Sequence, residues 1–392
     1  MSIALALDLA EKEILHTGAK HSRRVAYISI RLARLLDFSD EEVFDLFSLA
    51  VMHDNGLAKA VLNKKLKGET LIFSELEEIN EHCSIGEENI SKLPLLTDQK
   101  NVILYHHERY DGSGFFHKRG DEIPFMAQII AFADFLDFEF DLLDLSYKNH
   151  QNIMEYVKEY SGIKHSKKIA DAFLHLSNNS AFWFDMTDLT LIHSIKQYLP
   201  HIEIDITLAQ LFDITSIFCE IIDSKSTFTL RHSSGLMEKV EHMAGFYRYD
   251  DEGTLKLKIA ASLHDLGKLV IPNTILDKDG ELNDEEFEII KKHSYFTKFI
   301  LDEIQGLGEM KKWAYSHHEK LDGSGYPFGK NADELCFEER LMSCLDMYQA
   351  LTEDRPYRKG FSHEKSMDTL RRSAASHKID GSIVEDIDRV FK

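Results

Sequence analysis

Basic residues are in deficit along this chain: 46 lysines and arginines stand against 67 aspartates and glutamates, a formal net charge of −21. A polyphosphate backbone would be repelled by such a surface, which argues against broad binding of nucleic acid polymers. A small anionic ligand stays compatible with that charge if metal ions and a few local cations dominate one pocket. Cysteine is equally sparse. Cys83, Cys219, Cys336 and Cys344 show no CxxC spacing, so free thiols in a reducing cytoplasm are expected. Proline occurs only six times in 392 residues, which suits a mostly helical protein. Long apolar runs are missing too. The stretch Ile129 to Leu145 is interrupted by Asp134, Asp137, Glu139, Asp141 and Asp144 and cannot span a bilayer. Met1 to Leu15 carries Asp8, Glu11 and Glu13 within its apolar pattern, the mark of an amphipathic helix and not of a signal peptide.

What the chain does have is histidine, in a repeated order. Sliding the sequence against itself by 211 residues brings His21 onto His232, His53-Asp54 onto His264-Asp265, and His82 onto His293. The same shift brings His106-His107-Glu108 onto His317-His318-Glu319, and Asp134 meets Asp346 after one inserted residue. Composition alone gives roughly half a histidine-on-histidine match at such a shift; five occur. The chain is a duplication. Its 392 residues are long enough for two domains, each with its own core.

The surrounding pattern is helical, and an all-α fold of two tandem domains is expected. Residues 1–145 form the first, 205–392 the second, and 146–204 read as connecting helices packed on both. Apolar residues at helical spacing run from Leu255 up to His264-Asp265, where Gly267 looks like the helix terminator. Asp284 looks like the N-cap of a helix beginning at Glu285 and carrying His293.

Each repeat offers five imidazoles and two carboxylates, a donor set suited to Fe, Mn, Co, Ni or Zn and large enough for two ions. Helical neighbours point about 100° apart, so His264 would serve one ion while Asp265 bridges both. Two ions ~3.5–4 Å apart would deprotonate a bridging water and neutralise a phosphodiester. A lone histidine is ordinarily a hydrogen-bonded core or surface residue; the doublets in register set that reading aside.

The string His264-Asp265-Leu266-Gly267-Lys268, then His293, His317-His318-Glu319, Asp322-Gly323-Ser324-Gly325-Tyr326-Pro327, Asp346 and Asp354-Arg355-Pro356-Tyr357-Arg358, resembles the HD-GYP subgroup of HD phosphohydrolases. The likeness covers about Asp205 to Lys392. It implies an all-helical phosphodiesterase that opens bacterial second messengers, cyclic di-GMP or 3′,3′-cGAMP, to the linear dinucleotide. It further implies metal ligands at His232, His264, Asp265, His293, His317, His318 and Asp346, with Fe or Mn the foremost ions. Asp265 and Lys268 would be catalytic; Lys268, Arg355 and Arg358 would contact phosphate, and Tyr326 would line the pocket. Three-metal members carry a glutamate where this chain has Phe228, so a binuclear site is implied. The family's basic residues after the first histidine are replaced by Ser233-Ser234-Gly235.

In the first repeat His21, His53, Asp54, His82, His106, His107 and Asp134 all remain, a second set able to hold metal. The lysine of the His-Asp motif is Leu57, Gly-Tyr-Pro has become Gly114-Phe115-Phe116, and Arg355 and Arg358 have no counterparts. A phosphate there would meet few cations. Three readings stay open for this half: a metal site turning over cyclic dinucleotides poorly or not at all, a decayed structural and dimerisation domain, or a regulatory site for another ligand. For the whole chain, the rivals to a cyclic dinucleotide phosphodiesterase are an HD phosphohydrolase acting on another nucleotide and a non-catalytic sensor or scaffold. The partners expected are the dinucleotide and, as an open question, a second copy of the chain.

Overall fold

The computed structural model describes residues 7–8, 20–67, 79–226, 232–354 and 359–392. Phe228, Arg355 and Arg358 lie outside the described residues, as does the amphipathic stretch Met1 to Leu15 apart from Leu7 and Asp8. Among the described residues there is no strand, only the isolated bridges Ser161–His165 and Asp322–Asn331, and the fold is all-α as expected. No described helix is long and apolar enough to cross a membrane. The chain divides into two compact units, Ile3–Asp205 and Ile206–Lys392.

In the first unit α1 (His21–Leu35) is the central helix; Val25, Ile28 and Leu32 are fully buried on it. It packs on α2 (Asp40–Val51) and, after α3 (Leu57–Leu66) and α4 (Glu81–Ile90), on α5 (Phe125–Glu139). The stretch expected as a connector folds as α6 (Tyr147–Glu159), α7 (Lys167–Ser177), α8 (Ser180–Phe184) and α9 (Leu191–Tyr198). Its contacts place it within the first unit, with α7 and α9 docked on α1. The physical reason is aromatic: Phe173, Phe182 and Trp183 are buried there, and Tyr27 of α1 donates a hydrogen bond to Asp185 (2.9 Å).

The second unit repeats the plan with α10 (Leu208–Ser224), α11 (His232–Phe246), α12 (Asp251–Leu263), the short α13 (Asn273–Leu276), α14 (Asp284–Asp302), α15 (Met310–Tyr315), α16 (Phe337–Thr352), α17 (His363–Ala375) and α18 (Gly381–Phe391). Leu236 and Val240 of α11, Leu257 of α12, Leu341 and Leu345 of α16, and Ile383 and Ile387 of α18 share one core.

Two sequence expectations shift. Asn283, not Asp284, caps α14: its side chain accepts from the Glu286 amide at 2.8 Å while Glu286 returns the bond, a reciprocal box that one residue's offset concealed. Likewise α12 ends at Leu263, so His264 and Asp265 lie in its exit and Gly267 sits in the 3₁₀ turn Leu266–Val270. The glycine is required by close approach instead. A Cβ at Gly267 would stand 1.9 Å from the His293 carbonyl oxygen, and one at Gly56 2.3 Å from that of His82. Each His-Asp turn therefore rests directly on the backbone of the helix carrying the next histidine. In the second unit Thr297 seals this joint, accepting from the Gly267 amide (2.9 Å) and donating to the His264 carbonyl (3.1 Å). In the first unit Asn89 and Asn55 do so, through a 2.9 Å bond between them and one from Asn55 to the Gly86 carbonyl (3.3 Å).

Candidate metal centres

Five segments converge in the second unit. His232 opens α11, His264 and Asp265 leave α12, His293 rides on α14, His317 and His318 follow α15, and Asp346 projects from α16. Asp265 is the hub: its Oδ2 lies 3.1 Å from His264 Nε2 and 3.7 Å from His232 Nε2, and its Oδ1 lies 3.5 Å from His293 Nε2 and 3.9 Å from His317 Nε2. Asp346 stands opposite, with Oδ1 2.9 Å from His232 Nε2 and Oδ2 3.7 Å from His318 Nδ1. All seven predicted ligands are brought together, in overlapping groups whose donor atoms lie within 4.8 Å of one another. Lys268 Nζ joins them, 2.6 Å from Asp265 Oδ2. The Tyr326 ring lies 4.8 Å from that of His318.

The first unit assembles its seven in the same order. Asp54 is the hub, its Oδ2 3.6 Å from His53 Nε2 and its Oδ1 3.4 Å from His82 Nε2 and 3.5 Å from His106 Nε2. Asp134 meets His21 Nε2 at 3.2 Å and His107 Nδ1 at 3.7 Å. In both units the second member of the histidine pair is the open side: the side chains of His107 and His318 are 27% and 28% exposed, against 0% for His106 and His317.

Three observations fit both sets to metal. His53, His82, His106, His264, His293 and His317 each set Nδ1 against the carbonyl oxygen three residues earlier. A carbonyl only accepts, so Nδ1 carries a proton, and in the neutral imidazole that ligation requires Nε2 presents its lone pair to the centre. Next, His293 Nε2 and His317 Nε2 then face each other at 3.2 Å, and His82 Nε2 and His106 Nε2 at 3.3 Å. Opposed lone pairs at that distance call for a cation between them. Finally, His264 Nε2, Asp265 Oδ1, His53 Nε2 and Asp54 Oδ1 are buried without a hydrogen-bond partner, the orphan donors a cation would satisfy.

A model of the HD domain family matches residues 8–155 and, again, residues 216–383. The chain belongs to the HD domain family. Among HD relatives, the 3′3′-cGAMP-specific phosphodiesterase 1 of Vibrio cholerae is 28% identical over 396 residues, covering 99% of this chain and 90% of that protein. The 3′3′-cGAMP-specific phosphodiesterase 3 of the same organism is 25% identical, covering 94% and 88%. A cyclic di-GMP phosphodiesterase of Pseudomonas aeruginosa is 31% identical over 154 residues, 39% of this chain and 36% of that protein. The crystal structure of a cyclic GMP-AMP-specific phosphodiesterase of V. cholerae, V-cGAP3, superposes with a TM-score of 0.64 at 20% identity, over 100% of this chain and 97% of that one. That likeness is one of fold.

The two HD centres differ in what surrounds them. Burial, then the neighbouring His318, lowers the His293 pKa to about 3, and burial lowers that of His318 to about 4, so both imidazoles stay neutral and free to ligate. Burial also acts to lower His232, but hydrogen bonds with Asp346 and Glu353 carry it up to about 9. A proton there stands in for a cation. Glu353, which His232 Nδ1 approaches at 3.1 Å, was not singled out from sequence; nor was its first-unit counterpart Asp137, 2.7 Å from His21 Nδ1 and also paired with Arg24 (2.9 Å). Both lie on the ligand aspartate's side of the chain, three residues after Asp134 and seven after Asp346, a spacing that carried the signal. Glu319 and Glu108 have a different task. Each accepts two amides of the loop beyond, Phe328 and Lys330 (2.8 Å each) or Phe116 and Lys118 (2.6 Å each).

The first HD unit meets the expectation of few cations: two line its cavity, beside the carboxylates of Asp54, Glu108, Asp134 and Glu139. A cavity of about 350 Å³ opens beside Asp54, His107 and Phe115, and Arg109 and Lys164 line it. Arg109 comes two residues after the histidine pair, whereas Lys164 comes from beyond residue 145 and was invisible to motif alignment. The aromatic wall also persists: Phe115, aligned with Tyr326, sits 5.4 Å from the His107 ring.

Proposed function

We propose that this chain is a metal-dependent phosphodiesterase that opens cyclic dinucleotides to the linear form, with residues 205–392 performing the reaction. The observation that carries the proposal is the seven-donor centre of the second unit, with His264 Nε2 and Asp265 Oδ1 buried and unpartnered and Lys268 at its rim. Divalent metal bound there supplies Lewis-acid activation of water and of the phosphodiester; two ions, foremost Fe or Mn, match the donor count. Asp265 positions both halves of the donor set, and Lys268 offers a cation 2.6 Å from it where negative charge develops on phosphate. Tyr326, whose hydroxyl burial keeps protonated, is placed to donate a hydrogen bond and to face a base. Arg355 and Arg358, assigned to phosphate by resemblance, belong to the same proposal. The first unit's set, His21, His53, Asp54, His82, His106, His107 and Asp134, is read as a second metal centre without turnover.

Substrate choice follows from where similarity extends. The relatives matched over both units are named for 3′3′-cGAMP, while the cyclic di-GMP phosphodiesterase cited matches 39% of the chain. We therefore take 3′3′-cGAMP as the preferred substrate and cyclic di-GMP as the second, with the protein acting in the cytoplasm. Turnover of 3′3′-cGAMP, cyclic di-GMP and a deoxynucleoside triphosphate by the metal-loaded full chain should rank in that order. Hydrolysis of the triphosphate alone would return the chain to the general HD phosphohydrolases, and no hydrolysis of any would make it a sensor.

A further inference from the structure

We propose that Cys83 is a thiolate ligand in the first unit, completing a nitrogen–sulfur centre with His82, His106 and His107 that selects zinc-like ions; this rests on the reading of that unit as a metal centre. Cys83 follows His82 in α4 and is fully buried. Its Sγ lies 3.5 Å from His82 Nε2, and the donor atoms of all four residues fall within 4.8 Å of one another. It forms no disulfide.

The neighbouring nitrogens are gathered by Asp54, whose Oδ1 lies 3.4 Å from His82 Nε2 and 3.5 Å from His106 Nε2. His82 and His106 spend Nδ1 on the carbonyls of Ile79 and Ile103, so their Nε2 lone pairs point at one another and toward the sulfur. His107 Nε2 lies a further 3.1 Å from His82 Nε2. Three imidazoles and a thiol crowd around one point, with Asp54 Oδ1 buried and without a hydrogen-bond partner beside them, a four-donor set suited to a cation. On coordination the thiol releases its proton to solvent and sulfur binds as the anion.

The second unit provides the internal control. Ser294 occupies the position of Cys83, its Oγ 3.1 Å from His293 Nε2. The halves thus differ by sulfur for oxygen at one corner of otherwise matched sets. A neutral alcohol is a poor ligand, whereas thiolate with imidazole favours zinc and cobalt over manganese. The duplicated centres therefore take different metals.

The test uses the full chain, stripped of metal and reloaded with cobalt(II), whose thiolate bond gives a near-ultraviolet charge-transfer band. Wild type should show the band; Cys83→Ser should lose it, and Cys219→Ser should keep it. Cobalt content measured on the His82→Ala/His106→Ala variant tells what the first unit holds. If that variant loses cobalt relative to wild type but wild type shows no band, or Cys83→Ser keeps it, the thiolate assignment is overturned. If it loses none, the reading of the first unit as a metal centre falls, and the thiolate with it. X-ray absorption on zinc-loaded wild type, which needs no variant to fold, must find sulfur in the zinc shell; a shell of nitrogen and oxygen alone also overturns the proposal.

Discussion

Residues 21–134 and 232–346 carry the same seven donors in the same order, and the two hubs sit at like distances from their imidazoles: Asp54 Oδ1 is 3.4 Å from His82 Nε2, and Asp265 Oδ1 is 3.5 Å from His293 Nε2. Around these matched cradles several side chains differ. Lys268 corresponds in register to Leu57, Tyr326 to Phe115 and Ser294 to Cys83, and the acceptor behind the first histidine is Glu353 in one and Asp137 in the other. Under the proposed function, metal binding and phosphate handling would be separable properties of one helical frame. The first depends on ring orientation within single turns; the second depends on side chains brought in from loops.

The largest effect should divide the halves outright. His264→Ala with Asp265→Ala should abolish phosphodiesterase turnover, while His53→Ala with Asp54→Ala should leave it within a few-fold of wild type. Rates must be compared on proteins whose melting is normal, because lost ligands leave buried polar groups unpaired. Complete inactivity of a well-folded first-unit variant would make that half an obligate part of catalysis. Next in size is Lys268→Ala, which should retain metal and lose about 10²–10³ in rate, the usual consequence of removing one electrostatic contact to a transferring group. Wild-type turnover in that variant would end the distinction drawn between Lys268 and Leu57.

Where the halves are alike, they should fail alike. Gly56→Ala and Gly267→Ala both drive a methyl into a histidine carbonyl, at 2.3 and 1.9 Å, so each should destabilise its unit by about 1–3 kcal/mol in denaturant titrations. A silent Gly56→Ala beside a damaging Gly267→Ala would mean that the first unit's joint has loosened.

The smallest effect is a pH dependence of the metal-free protein. His293 and His318 have folded pKa values of about 3 and 4, below the ordinary 6.5, so their contribution is full above 6.5 and is lost as pH falls toward 4. His232, raised to about 9, contributes fully below 6.5 and loses its share as pH rises through 9. Melting should therefore peak near pH 6.5 and drop by a few degrees on either side. Bound metal should flatten the alkaline limb, since it replaces the proton on His232. An unchanged alkaline limb in the loaded protein would place the metal away from His232.

The clustering of the donor residues was readable in advance because side chains that could share a metal recur at fixed spacing. His53-Asp54 and His264-Asp265, the histidine pairs and the two later aspartates declare themselves by register, and the helical pattern between them gives the all-α class. Contacts made across the fold were not readable. Lys164 reaches the first unit's cavity from a segment taken for a connector, and that segment joins the unit through Phe182 and Trp183, whose burial no periodicity announced. The reason for Gly267 was misjudged because helix termination and close backbone approach leave the same residue in the sequence. Cys83 is free of any disulfide, as its sequence context implies, but its three histidine neighbours are visible only in the fold.

The six rings latched to the carbonyl three residues earlier carry a consequence for how the protein meets its environment. Each imidazole is fixed by its own turn of backbone, so departure of an ion from the proposed centres would leave the mould standing and its return would ask for no refolding. Occupancy would then follow the ambient supply of each metal. A protein with one sulfur-bearing mould and one without would report two supplies at once, its chemistry rising and falling with the one that reaches Asp265.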